Sequence, residues 1–209
     1  MMNQQSISGF LEQLASAAPA PGGGTASAVA GAMGAALVSM VARLTKDKEK
    51  YASYRSQMEE ALSFAEASRA RLIKLAADDT NAFEGVTAAY RLPRTTETDK
   101  VNRQHAIQEA LKKATEVPLA VMDVCCELLQ YTAVVAECGN PNALSDAAVG
   151  AILCLAGVEG AFLNVSINLQ GINDREYFSS VLGRATELKK RAREMAAGVQ
   201  ALADNRLSV

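Results

Sequence analysis

Three short stretches of this chain carry residues whose types and spacing can do chemistry. The first is LAADDTNAFEGV at 75–86, in which Asp79 lies seven residues after Leu72 and seven before Val86. Seven residues are two helical turns, so Asp79 shares the inward phase of those two apolar residues, while Asp78 is rotated off it. A carboxylate turned inward loses its water, which raises its pKa and suits it to taking and giving protons near neutral pH. The same phase serves a carboxylate that caps a neighbouring helix or pairs with a buried arginine. Phase alone leaves both open.

The second stretch is a line of Asp146, Gly150, Cys154, Gly157, Ala161, Asn164 and Asn168, spaced by three or four residues. That is one face of one helix, with an acid and two amides alternating with small side chains. Such a face offers room beside the backbone and hydrogen-bonding groups at its ends, which suits a flat heteroaromatic ligand. Close packing against another helix is the plainer use of the same residues. The third stretch is Gly22, Gly23 and Gly24 directly before Thr25. If Thr25 caps a helix, consecutive backbone N–H groups at its positive end can hold an anion, with Lys46, Lys48 and Lys50 adding charge beyond it. A tight turn where helices cross is the alternative, and the run matches neither a P-loop nor a dinucleotide fingerprint. Ser27 lies one turn past the glycines, but the single histidine, His105, sits in a polar segment with no sign of a triad.

The elements that must position these residues are almost all helical. Ile7, Phe10, Leu11 and Leu14 follow a helical stripe that Pro19 and Pro21 forbid from continuing. From Ala26 to Ala42 no charge occurs, and Ser27, Gly31, Ala35 and Ser39 recur every four residues. Ala, Gly and Ser drive membrane insertion weakly, so this run is expected to be a buried helix at the centre of a bundle rather than a membrane span. A stripe from Tyr51 through Met58, Leu72 and Phe83 to Tyr90 predicts a long helix over about 48–90. After a turn at 92–98 comes a polar helix in which Pro118 either starts a new helix or kinks the old one, and Gly139 ends that stretch. Ser145 is placed to cap a helix to about Leu169, and Asn173 or Asp174 the last one. No segment alternates with period two. The expected fold is an all-α bundle of long, mostly antiparallel helices forming a single domain over 1–209.

Composition narrows the function. The 209 residues are 49% hydrophobic and 21% charged with a formal net charge of -2, an ordinary globular balance without the cationic surplus of a general nucleic-acid binder. The four cysteines show no framework spacing, and Cys125 and Cys126 fall in an apolar helix where inert core is the default. MMNQQSISGF has no signal-peptide pattern, so a cytoplasmic setting with no membrane partner is expected. With one histidine and no CxxC or HxxxH pair, no metal centre is expected.

Taken together, APAPGGGTASA at 18–28, ADDTNAF at 77–83, YRLPRTT at 90–96, EVPL at 116–119, and GNPNALSDAAV followed by NVSINL resemble the cyclodeaminase/cyclohydrolase family. That family includes the C-terminal domain of formiminotransferase-cyclodeaminases and stand-alone methenyltetrahydrofolate cyclohydrolases. The resemblance covers nearly the whole chain and keeps the order of the motifs. It implies an all-helical homodimer acting on a one-carbon unit carried by tetrahydrofolate, with the folate as substrate and no metal, nucleotide or prosthetic group. Asp79 matches the family's catalytic acid, and Asn81 stands where the bifunctional enzyme has a second acid. Asp146 is implied as a second catalytic group, and Gly22, Gly23, Gly24, Ser27, Asn140, Asn164 and Asn168 as substrate-binding, the glycines taking a carboxylate of the glutamate tail. AGAMGAALVSMV at 30–41 is closer to the stand-alone cyclohydrolases, and no formiminotransferase segment precedes the match, so hydrolysis without channelling is the expectation, with ammonia-releasing cyclisation of 5-formiminotetrahydrofolate second. A helical scaffold without activity is the remaining alternative.

Overall fold

A computed structural model describes residues 6–207, which leaves the first half of the segment read for a signal peptide outside the described range. Six α-helices follow one another: α1 (Ile7–Leu14), α2 (Gly23–Lys46), α3 (Arg55–Tyr90), α4 (Glu97–Cys138), α5 (Leu144–Leu169) and α6 (Arg175–Leu207). Two 3-10 turns, Glu49–Tyr54 and Pro141–Ala143, lead into α3 and α5. No strand occurs among the described residues.

Local sequence explains most of the boundaries. Ser6 caps α1 by accepting from the Gly9 amide at 3.1 Å. Thr96 and Asp99 form a reciprocal capping box at the start of α4, and Asp174 accepts from the Tyr177 amide at 3.0 Å to start α6. Three expectations change. Tyr51 departs from helical dihedrals, so the long third helix begins at Arg55 rather than near Lys48. The 3-10 turn brings α5 in at Leu144, which puts Ser145 inside the first turn and not at the cap. Gly22, not Thr25, occupies the cap position of α2, so the Thr25 hydroxyl is free for another partner.

Cross-links give the directions. Arg43 pairs with Glu66 near one end of α2 while Thr25 meets Asp79 near the other, so α2 and α3 are antiparallel. Phe64 stacks on Tyr131, and Arg103 donates to the Tyr90 carbonyl, so α3 and α4 are antiparallel too. Arg184 joins Asp123 and Arg206 joins Glu137, which makes α6 parallel to α4. Five long helices thus run alternately up and down around one core in which Met58, Leu72, Met122, Leu128 and Leu129 are fully buried.

At the α2–α5 crossing the two backbones come close together, and its small residues are the reason. A Cβ added at Gly34 would come within 2.9 Å of the Gly150 carbonyl oxygen, and one at Gly157 within 3.1 Å of the Ser27 carbonyl oxygen. Only glycine lets these backbones touch. On the side facing away from α4, however, both helices are open. Met33 and Leu44 on α2 and Val149, Ile152, Leu163 and Ile167 on α5 are each more than 40% exposed. α2 is therefore enclosed on three sides only, a correction to the expectation of a central helix. By length and composition α2, α4 and α5 are apolar enough to cross a membrane, with mean hydropathy of 1.6 to 1.8. In the bundle their inward faces are used on one another.

Candidate active site

Asp79 lies in the middle of α3, facing the first turn of α2. Its Oδ2 accepts from the Thr25 hydroxyl at 2.8 Å, and a Cβ on Gly24 would overlap the carboxylate. The glycine therefore has a steric purpose: it lets the helix start come down onto the acid. Burial pushes the Asp79 carboxyl above its ordinary value of 3.8, while the Thr25 hydroxyl and backbone N–H pull against that rise. Asp79 is thus a half-buried acid with a raised pKa that meets the first turn of α2 through Thr25.

Asp79 opens onto a pocket of about 340 Å³. Pro19, Ala20 and Gly22 to Gly24 form one wall, Ala82, Phe83 and Val86 on α3 a second, and Ala114 on α4 with Asn164, Ile167 and Asn168 on α5 the third. The two amides are oriented by backbone. Asn164 donates from Nδ2 to the Gly160 carbonyl at 2.9 Å, and Asn168 from Nδ2 to the Ala114 carbonyl at 2.8 Å. Each oxygen is left without a hydrogen-bond partner among the described residues. No lysine, arginine or histidine lines the pocket; its polar side chains are one carboxylate and two amides, set against apolar walls beside the backbone of Gly22 to Gly24.

Asp79, Gly22, Gly23, Gly24, Asn164 and Asn168 are thus brought together, and the other expected residues are not. Ser27 lies one turn deeper, 6% exposed, with its hydroxyl donating to the Gly23 carbonyl at 2.6 Å. Asn140 is at the far end of α2, where its amide N–H donates to the Thr45 hydroxyl at 2.9 Å and its side chain caps the Pro141–Ala143 turn. Asp146 is in the first turn of α5, about 27 Å along the helix axis from Asn164 at 1.5 Å per residue. The stripe linking Asp146 to Asn168 is real, but it is as long as the helix, and one small ligand cannot span it. The lysines at 46, 48 and 50 are also at the far end. The Asp79 carboxylate sits at the α2 N-terminus, held there by the Thr25 hydroxyl, so an anion already occupies the region where a ligand carboxylate was expected.

Thr25 and Ala114 escape the residue pattern. A hydroxyl after three glycines reads as a cap until the helix is found to start earlier. Ala114 is marked only through Pro118, which has no N–H to offer the carbonyl one turn back. The cysteines play no part. Burial raises Cys125 well above its ordinary value and Cys154 to about 12, so both are thiols packed at the α2–α5 crossing. Among the described residues no three His, Cys, Asp or Glu side chains converge as a metal site.

The architecture is an all-α bundle whose second helix starts over a half-buried acid, beside a pocket lined by two asparagine side chains. The chain belongs to the formiminotransferase-cyclodeaminase family, whose sequence profile matches residues 6–187. It is 47% identical over 177 residues to the methenyltetrahydrofolate cyclohydrolase of Methylorubrum extorquens, covering 85% of each chain. It is 36% identical over 188 residues to the formimidoyltransferase-cyclodeaminase of Sus scrofa, covering 90% of this chain but 35% of that longer one. The crystal structure of a formiminotetrahydrofolate cyclodeaminase from Thermotoga maritima superposes with a TM-score of 0.90 at 32% identity, covering 99% of this chain and 100% of that one.

Proposed function

We propose that this protein is a methenyltetrahydrofolate cyclohydrolase, hydrolysing 5,10-methenyltetrahydrofolate to 10-formyltetrahydrofolate. The observation that carries the reading is the polarity of the pocket: one carboxylate, two free amide oxygens and no cation. The methenyl compound is itself a cation, its charge shared between N5 and N10 through the bridging carbon, and its pterin edge is rich in N–H donors. A carboxylate and two amide oxygens without a cationic side chain favour such a molecule over an anion. The 47% identity to a named cyclohydrolase over most of both chains supports the same choice.

The chemistry needs little beyond a placed water and a proton carrier. As the water oxygen bonds to the bridging carbon, the Asp79 carboxylate takes one of its protons. As the N5–carbon bond breaks, Asp79 returns that proton to N5, and the proton of the new hydroxyl leaves to solvent as the formyl group forms on N10. A raised pKa lets one carboxyl act in both directions. Asn164 and Asn168 orient the pterin edge, Phe83 offers a ring face for it, and Gly24 holds the acid against the α2 terminus. Asn81 in place of a second acid is in keeping with hydrolysis by one carboxyl.

The protein works in the cytoplasm as a homodimer through the open faces of α2 and α5. Ala26, Ala30, Met33, Leu37, Met40 and Leu44 on one helix and Val149, Ile152, Ala156, Leu163 and Ile167 on its antiparallel neighbour form two parallel apolar stripes without a charge. A paired face of this kind is self-complementary about a two-fold axis.

Incubation with 5,10-methenyltetrahydrofolate is the test. Loss of the methenyl chromophore faster than in protein-free buffer is the expected result. Ammonia release from 5-formiminotetrahydrofolate, with no hydrolysis, selects the cyclodeaminase instead. Inertness toward both compounds leaves a helical scaffold.

A further inference from the structure

The pocket holds the reacting end of a folate and leaves the other end unaccounted for. A folate carries a pterin, an aminobenzoyl ring and a glutamate in series, and about 340 Å³ is at the small end of the range for ligand pockets, roughly 300–1,000 Å³. The glutamate also brings carboxylates, and the Asp79 pocket repels them. Its lining has no cationic side chain, and the Asp79 carboxylate already stands at the helix terminus that would attract an anion.

A second hollow adjoins it. Between α3 and α4 runs a groove of about 440 Å³ that shares Ala82 with the pocket. Small side chains open it: Gly85 and Ala88 on α3, Ala106 and Ala110 on α4, with Asn81 beside them. A Cβ built on Gly85 meets nothing within 4 Å, so this stretch of α3 faces open space. Lys113 lines the groove, one residue before Ala114 of the pocket wall. Its neighbour Lys112 is held by Asp174 at 2.8 Å, whereas Lys113 makes no ion pair among the described residues, Glu109 one turn back included.

Resting on the folate reading above, we propose that the substrate's tail passes over Ala82 into this groove, with the aminobenzoyl ring on the small apolar residues and a glutamate carboxylate on Lys113. A trough of small apolar residues that ends at the Lys113 ammonium, with the Glu109 carboxylate one turn back and not paired to it, matches a ring followed by a carboxylate in the order the folate presents them. The groove thereby selects for the glutamyl tail, and the pocket for the methenyl cation.

The experiment compares steady-state constants for 5,10-methenyltetrahydrofolate and for the 5,10-methenyl derivative of tetrahydropteroate, which lacks the glutamate. Lys113→Ala raises KM for the full folate about tenfold, as loss of one charge-assisted hydrogen bond does, with kcat unchanged and KM for the pteroate compound unmoved. Gly85→Leu puts a side chain into the groove at a position where an added Cβ meets nothing, and it raises KM for the full folate while the protein's melting temperature is kept. Lys113→Arg restores most of the affinity. Unchanged KM in both Lys113→Ala and Gly85→Leu overturns the proposal. So does a rise confined to Arg91→Ala, which would route the tail through the hollow lined by Pro19, Phe83, Thr87 and Arg91. A wild-type protein that turns over neither compound sinks the folate reading itself, and is told apart from the first failure by the wild-type rate.

Discussion

Asn168 donates from Nδ2 to the carbonyl oxygen of Ala114 at 2.8 Å, and this is the carbonyl that Pro118 leaves without a helical partner. A proline removes the N–H that would otherwise bond four residues back. α4 nevertheless runs unbroken from Glu97 to Cys138, with the orphaned group answered from α5. One side chain thus repairs a backbone defect and, by the same bond, has its free oxygen fixed at the pocket wall.

Asn168→Ala should therefore cost about 1–3 kcal/mol in urea unfolding, since a buried acceptor loses its donor. In a Pro118→Ala background the restored N–H takes the carbonyl, and the same substitution should cost clearly less. Equal costs in the two backgrounds would mean that the pair is not coupled.

Thr25 acts on Asp79 in the opposite sense from burial, because its donated bond favours the carboxylate. Thr25→Val keeps the shape and removes the donor, so the acidic limb of the kcat/KM profile should move to higher pH. Thr25→Ser should leave that limb in place. A limb that stays put in Thr25→Val would assign it to some other group.

Asp79 also makes stability depend on pH. Its folded pKa lies above the ordinary 3.8, so the stability it contributes is complete below that value and is lost as pH rises through the raised one. Asp79→Asn removes this loss. The stability of the variant relative to the wild type should rise with pH across that window and level off beyond it. A flat difference would show that burial does not perturb the group.

In the dimer proposed above, the open faces of α2 and α5 form the interface. Ile152, 54% exposed in the single chain, would be buried in a dimer. Ile152→Glu should then give a monomer in sedimentation at concentrations where the wild type is a dimer, by burying an unpaired charge in the interface. A wild type that sediments as a monomer at high concentration would refute the interface.

Much of the fold and part of the site are legible in the sequence because helical phase is a strong local signal. Leu72, Asp79 and Val86 do share a side of α3, and the glycines do precede a helix. The residues that one chain places away from Asp79 have a common origin in length. Helical phase says which side of α5 holds Asp146 and Asn164, but it carries no information about which neighbours each meets, and the antiparallel crossing sends them to opposite ends of α2. Asn140 is drawn to the site by its motif and lies with Thr45 for the same reason. That Asp79 would meet the first turn of α2 depends on a contact between residues 54 positions apart. No spacing within either helix records it.

The central claim is that Asp79 carries the proton, and Asp79→Asn tests it most directly, since the amide keeps the shape and the bond from Thr25 while ending proton exchange. With 5,10-methenyltetrahydrofolate as substrate, kcat should fall by about 10²–10⁴-fold while the folate is still bound with near wild-type affinity. A variant that hydrolyses the methenyl compound at close to the wild-type rate would contradict the account.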